Sequence, residues 1–165
     1  MAKLKIKAYQ NNFPKKFEKL KIKISKTIGN YKIDHIGSTA VPGLGGKGII
    51  DIMIALKKWS DAKIIIKKLK ILGYLHIHPK ENSRIFISQK AKTKFGDSHI
   101  HIVKKGSKAY KDLIAFRNCL RQNSKLKKAY FDLKLELAGK TKGNRAEYTK
   151  LKSNFIKMIT KKFDE

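Results

Sequence analysis

The sequence predicts a mixed α/β (α+β) chain: one β-sheet flanked by helices and followed by a helical final third. Three patterns carry this expectation. Short runs with period two, or with unbroken apolar character, read as strands and fall between Tyr31 and Val103. A stripe at helical spacing precedes them and another interrupts them. From Leu113 onward, apolar residues recur only at helical spacing. A chain of 165 residues has the size of one domain, and no repeat or low-complexity linker divides it. Residues 1–165 are therefore expected to fold as a unit.

Asn11 or Asn12 is placed to cap a first helix beginning near Pro14, since proline is tolerated in a first turn. Phe17, Leu20, Ile24 and Ile28 give that helix one apolar stripe, and Gly29-Asn30 ends it. Tyr31 to Ile36 alternates as a strand does and runs directly into Gly37-Ser38-Thr39. The segment Val41 to Gly48 is too rich in glycine for regular structure. Ile49 to Leu56 is apolar apart from Asp51, as suits a strand buried on both faces. Ser60 is expected to cap the next helix, with Ala62, Ile65, Ile66, Leu69 and Leu72 facing inward and Gly73 at its end. Three strands follow: Tyr74 to Ile77, Arg84 to Ser88, and Ser98 to Val103. Pro79 comes directly after His78 and marks the His76-x-His78 pair as a strand end. The closing helices carry Leu113, Phe116 and Leu120, then Tyr130, Leu133 and Leu137 after a break near Asn123-Ser124. Tyr148, Leu151, Phe155, Ile159 and Phe163 form a last stripe after Gly143-Asn144.

Composition narrows the function classes. An apolar fraction of 41% supports a packed core and not disorder. Cys119 is the single cysteine, which excludes an internal disulfide and a thiolate zinc cluster and fits a reducing compartment. The opening MAKLKIKAYQ lacks the apolar centre of a signal peptide, and no stretch approaches the ~20 apolar residues of a membrane span. A soluble, cytoplasmic protein with no membrane partner is the expectation. The formal net charge of +28 would attract polyanions, nucleic acid among them, in a salt-dependent way. Of the 40 basic residues, however, only Arg84, Arg117, Arg121 and Arg145 are arginines, the side chain whose planar fork reads phosphates and bases. Lysines run through nearly every segment. The charge reads as a general lysine bias and not as a dedicated nucleic-acid surface.

The chemistry is concentrated in His35 to Leu44, with Lys47 and Asp51 just beyond. A strand ending in Gly37-Ser38 lets backbone approach a phosphate closely, because glycine has no Cβ. The Ser38 and Thr39 hydroxyls, and the amides of that turn, can donate to phosphate oxygens. A carboxylate inside an apolar strand is costly unless paired or bound to a cation. Asp51 on the strand after the turn is placed to hold Mg²⁺ against a phosphate in that turn, as phosphoryl and nucleotidyl transfer require. The plainer reading of the same residues is an ordinary turn and an ion pair between Asp51 and a lysine, Lys47 being nearest in sequence. Arg117 and Lys134 lie beside apolar stripes, where they can reach an anion over the sheet or lie along an exposed flank.

The segment HIGSTAVPGLGGKGIIDI resembles the signature of the GrpB family, within the nucleotidyltransferase superfamily. The resemblance spans nearly the whole chain. Tyr9 to Phe17 is similar to the family's opening, with Phe13 where tryptophan is common. His99-Ile100-His101-Ile102-Val103 matches its His-x-His strand, and Phe116-Arg117-Asn118-Cys119-Leu120-Arg121 its Phe-Arg-Asp-x-Leu-Arg helix, with Asn118 in place of the acid. Tyr130, Lys134, Leu137 and Ala138, then Tyr148-Thr149, Lys152 and Phe155-Ile156, fit its closing helices. The resemblance implies a nucleotidyltransferase-like fold and a site around Gly37-Ser38 and Asp51. The superfamily pattern pairs two acids on one strand with a third on a later strand. Here Met53 stands where the second acid is expected. Asp97, His99 and His101 fall on one face by period two, so Asp97 can supply the missing metal ligand if the later strand extends back to it. The histidines can bind phosphate, move a proton or ligate a transition metal.

Three functions compete on these residues. The first is a Mg²⁺-dependent nucleotidyltransferase moving a nucleoside monophosphate to an acceptor. In it Gly37, Ser38 and Thr39 cradle phosphates, Asp51 holds the metal, Lys47 neutralises charge, and His99 or His101 assists the proton or the phosphates. The second is a non-catalytic module binding a nucleotide or another phosphorylated small molecule, which Met53 favours. The third is a basic RNA-associated protein.

Overall fold

The computed structural model describes residues 4–81, 83–89 and 98–161. Helix α1 (Phe13–Ile28) buries Phe13, Phe17, Leu20, Ile24 and Ile28 along one stripe. Asn12 occupies its N-cap position, yet its backbone is already helical and its side chain makes no capping bond. After β1 (Lys32–Ile36) comes a single 3-10 turn, Ser38–Ala40, then the loop leading to β2 (Ile50–Leu56).

Helix α2 (Ala62–Lys70) is not capped by Ser60, which lies inside a second 3-10 turn, Trp59–Asp61. The Ala62 amide bonds to the Trp59 carbonyl, so the turn satisfies a donor that a side-chain cap would otherwise take. Three strands follow, β3 (Tyr74–Glu81), β4 (Arg84–Gln89) and β5 (Ser98–Lys104). Strand β3 does not end at Pro79 but continues through it to Glu81. The five-stranded sheet has the order β1-β2-β5-β4-β3, which makes β3 an edge strand. There a residue without an N–H forfeits no ladder bond on the open side.

Helices α3 (Lys108–Gln122), α4 (Ser124–Lys140) and α5 (Arg145–Lys161) complete the chain. Ser107 caps α3 by accepting from the Tyr110 amide, and Asn123 caps α4 by accepting from the Leu126 amide. Phe163, expected on the last stripe, lies outside the described residues.

The sheet is mixed: β2 runs parallel to β5, and its other pairings are antiparallel. Its faces are covered differently. Ile50, Ile52, Ile54 and Leu56 of β2 join Ile100 and Ile102 of β5 against α1 and α2. On the opposite face Ile36, Met53, Ala55 and Val103 pack against Ala109, Tyr110, Leu113 and Ile114 of α3. A further core joins the helices to the glycine-rich loop, through Val41, Leu44, Phe116, Leu120, Tyr130 and Ile159. Residue parity along β2 therefore aims Asp51 toward the helical third and not toward α1. Among the described residues no helix is long and apolar enough to cross a membrane.

Candidate functional site

The site forms where β1 ends and β2 and β5 begin. The sheet register sets Ile36 opposite Asp51 on one side and His99 beside Asp51 on the other. Gly37, directly after β1, has φ +72°, and a Cβ there would lie 2.5 Å from Asp51 Oδ2. Glycine is required twice over, by the backbone conformation and by the carboxylate pressed against it. The Gly-Ser turn and the acid of the next strand are thus in direct contact.

The other carboxylate oxygen, Oδ1, lies 3.3 Å from His99 Nδ1 and 3.6 Å from His101 Nε2. Burial alone would raise the Asp51 pKa. The hydrogen bonds and charges of His101 and His99 outweigh it and hold the carboxyl well below the usual carboxylate range. Arg84 Nη2 lies 3.0 Å from His101 Nδ1. Arginine only donates, so this contact makes Nδ1 the acceptor and leaves the ring proton on Nε2, toward Asp51. Burial lowers the His101 pKa against the opposing pull of Asp51. His99 packs edge-on against Phe86 and is 29% exposed at its side chain, with Nδ1 turned to the acid. Asp51 pairs with these two imidazoles and not with Lys47.

Cations close the site from the helical side. Lys134 of α4 is 2% exposed, and its ammonium donates to Ser38 Oγ at 3.0 Å and to the Gly45 carbonyl. Burial pushes its pKa down to about 7, helped by Lys152 and Lys47 and opposed by Asp51. A Cβ on Gly46 would meet Lys134 Nζ and Ser38 Cβ at 3.3 Å, so the loop glycine admits the lysine. Lys47 Nζ lies 4.6 Å from the centre of the Tyr148 ring, and Lys152 Nζ 5.6 Å from the same ring. Burial lowers both, Lys47 to about 8 with Lys152 and Arg145 contributing. Lysines of three separate segments converge here at the cost of mutual repulsion and desolvation.

Of the residues expected from sequence, the structure brings together Gly37, Ser38, Lys47, Asp51, His99, His101 and Lys134. Thr39 sits beside them but turns away: it accepts from His35 Nε2 at 2.9 Å and donates to the Ile49 carbonyl at 3.3 Å. Arg117 donates to the His35 carbonyl at 3.0 Å and to the Asn118 side chain, on the other side of the turn. Asp97 lies outside the described residues. Sequence reasoning gave no site role to Lys152, named only for its place on a closing helix that fits the family resemblance. It also missed Arg84, whose contact with His101 depends on the pairing of β4 with β5.

A magnesium ion takes oxygen ligands, commonly one or two carboxylates together with water and substrate phosphate. Asp51 Oδ2, lying against Gly37, would supply one such oxygen at the Gly-Ser turn. Met53 is fully buried and supplies none. Among the described residues no group of three or more His, Cys, Asp or Glu is arranged to hold a metal. The donor set fits one Mg²⁺ shared with a phosphate and does not fit a pair.

Comparison with known proteins agrees with this architecture. The family model described as GrpB protein matches residues 3–162. The glutamate-rich protein GrpB of Alkalihalophilus pseudofirmus is 32% identical over 162 residues, covering 92% of this chain and 90% of its own. A UPF0157 protein of Halalkalibacterium halodurans is 29% identical over 166 residues, covering 98% and 83%. The crystal structure of conserved protein GrpB from Enterococcus faecalis superposes with a TM-score of 0.83 at 24% identity, covering 98% of this chain and all of that one. The Cid1 poly(U) polymerase bound to MgATP superposes with a TM-score of 0.56 at 13% identity, over 80% of this chain and 44% of the polymerase. The fold is nucleotidyltransferase-like.

Proposed function

The chain belongs to the GrpB family, and from that premise we propose that it is a nucleotidyltransferase, moving a nucleoside monophosphate from a nucleoside triphosphate to an acceptor. One observation carries the reading: the buried Lys134 ammonium is fixed on Ser38 in the turn that presses against Asp51. A lysine buried at a pKa of about 7 is an expensive feature. An anion in the turn offsets that expense by restoring the proton and the charge. Lys47 and Lys152, gathered on Tyr148, add further positive charge beside Lys134.

In this reading the acceptor's nucleophile attacks the α-phosphorus, the bond to the bridging oxygen breaks, and pyrophosphate leaves with its charge met by Lys134, Lys47 and Lys152. His99 takes the acceptor's proton at Nε2, while Asp51 holds Nδ1 and so fixes the ring. His101, locked between Arg84 and Asp51, orients the carboxylate. A Mg²⁺ ion held by Asp51 and the nucleotide would screen the phosphate charge. Ser38 and the amides of its turn orient the phosphates.

Met53 favours a second reading, a module that binds nucleotide without turning it over. One experiment separates the two. Calorimetric titration with ATP, GTP, CTP and UTP, with and without Mg²⁺, is paired with a pyrophosphate-release assay on wild type and Asp51→Ala. Transfer chemistry predicts Mg²⁺-dependent binding and pyrophosphate release that Asp51→Ala abolishes while the circular dichroism spectrum stays native. Binding indifferent to Mg²⁺ with no pyrophosphate selects the module. Wild-type release by Asp51→Ala removes the catalytic assignment, and no binding of any nucleotide removes both.

A further inference from the structure

A pocket of about 320 Å³ lies on the far side of the Gly-Ser turn, between α1, the end of β1 and α3. Ser38 and Thr39 are consecutive, yet Ser38 meets Lys134 while Thr39 lines this pocket, so the turn separates the pocket from the Asp51 site. The nucleotide reading does not use it.

Its lining carries charges of both signs. Arg117 and Arg121 enter from α3, each pinned by a main-chain carbonyl: Arg117 Nη1 on His35 at 3.0 Å, and Arg121 Nε on Ala40 at 2.8 Å. Pinning one edge of a guanidinium fixes the direction of its remaining N–H groups. Burial lowers the Arg117 pKa and Arg121, one turn further along α3, lowers it again, while Asp34 and Tyr110 pull it up. Glu18 and Lys21 of α1 and Asp34 of β1 line the pocket too. Among the described residues no ion pair joins either acid to either arginine; Asp34 pairs instead with Lys32 on its own strand, at 3.8 Å. The oxygen in that pair, Asp34 Oδ2, is buried and accepts no hydrogen bond at the longer ion-pair distance. Buried acceptors are seldom left so, because each loses water without replacement. Phe17 and Pro42 add apolar surface.

Two guanidiniums one helical turn apart on α3, and two acids that make no direct ion pair with them, define complementary halves of one recognition site. We propose that this pocket binds a small zwitterion of the free α-amino acid class, its carboxylate on Arg117 and Arg121 and its ammonium on Glu18 and Asp34. The volume is at the small end of ligand sites, which suits a molecule of that size. This proposal stands independently of what occupies the Ser38 site.

The test is a titration of the full chain with the standard L-amino acids singly, followed by heteronuclear NMR. Saturable binding is expected for a subset of them, with shifts at Thr39, Arg117 and Glu18. For those that bind, the N-acetylated form and the amide should each lose about tenfold or more in affinity, as each removes one charge-assisted contact. Glu18→Gln, on an exposed helix position, should weaken binding by a similar factor and leave nucleotide titrations unchanged. No saturable binding by any amino acid overturns the proposal. So does binding that tolerates both blocked forms, binding that tolerates Glu18→Gln, or saturation by inorganic phosphate alone.

Discussion

A single buried ammonium, that of Lys134, makes the site's character measurable without knowing its substrate. Its pKa falls from 10.5 unfolded to about 7 folded, so between those values the unfolded chain holds a proton that the folded chain has released. Stability therefore rises with pH across that window. The cost of burying the charge, on the order of a few kcal/mol, is fully present below pH 7 and is relieved toward 10.5. Lys134→Met removes the titration. The difference in melting temperature between wild type and Lys134→Met should move in favour of wild type as pH rises from about 7 to 10. A difference that stays constant would mean the ammonium is not buried as described. Phosphate ligands want the proton that alkaline solution removes, so nucleotide affinity should fall over the same range. Lys134 was legible as a candidate from its place beside an apolar stripe. Its partners Ser38 and Gly45 were not, because they lie about 90 residues away in sequence.

At the scale of elements, the chain relies on caps where its helices meet. Asn123 is the whole connection between α3 and α4, and its side chain accepts from the Leu126 amide at 2.9 Å. Asn123→Ala should cost about 1 kcal/mol, a drop of about 2–4 °C in melting temperature for a chain of this size. A urea titration should show a lower midpoint with an unchanged slope. No change in midpoint would show that the α3–α4 corner is held by packing alone. The break at Asn123-Ser124 was readable because a cap is a local interaction. Ser60 misled for the converse reason. A serine before an apolar stripe is a generic cap signal, but the 3-10 turn at Trp59–Asp61 had already taken the amide. Pro79 misled because proline excludes a central strand and not an edge one, and which strand is the edge depends on the order of all five.

For the molecule as a whole, the net charge of +28 is carried almost entirely by lysines spread over its surface. Such a surface should bind a single-stranded homopolymer RNA weakly at low salt through counterion release. Fluorescence anisotropy should show that affinity falling about a thousandfold or more between 50 and 200 mM salt. Affinity that persists at physiological salt would instead point to a specific RNA surface and revive the third function considered from sequence.

The sequence by itself determined the element types, the buried character of β2, the Gly37-Ser38 turn and the anomaly of Asp51. Each of these is written in local periodicity, or in one residue that breaks it. Only the tertiary structure decided which groups face that acid. The carboxylate lies between His99 and His101 because β2 and β5 pair in parallel, and it lies near Lys134 because α4 folds back over the glycine-rich loop. It likewise decided that Arg117 lines a pocket away from Asp51, since Arg117 reaches the turn from α3 and Lys134 reaches it from α4. Periodicity along a chain is a nearest-neighbour property. The assembly of a charged site is a property of contacts between distant segments, fixed by strand order and by the packing of helices onto the sheet.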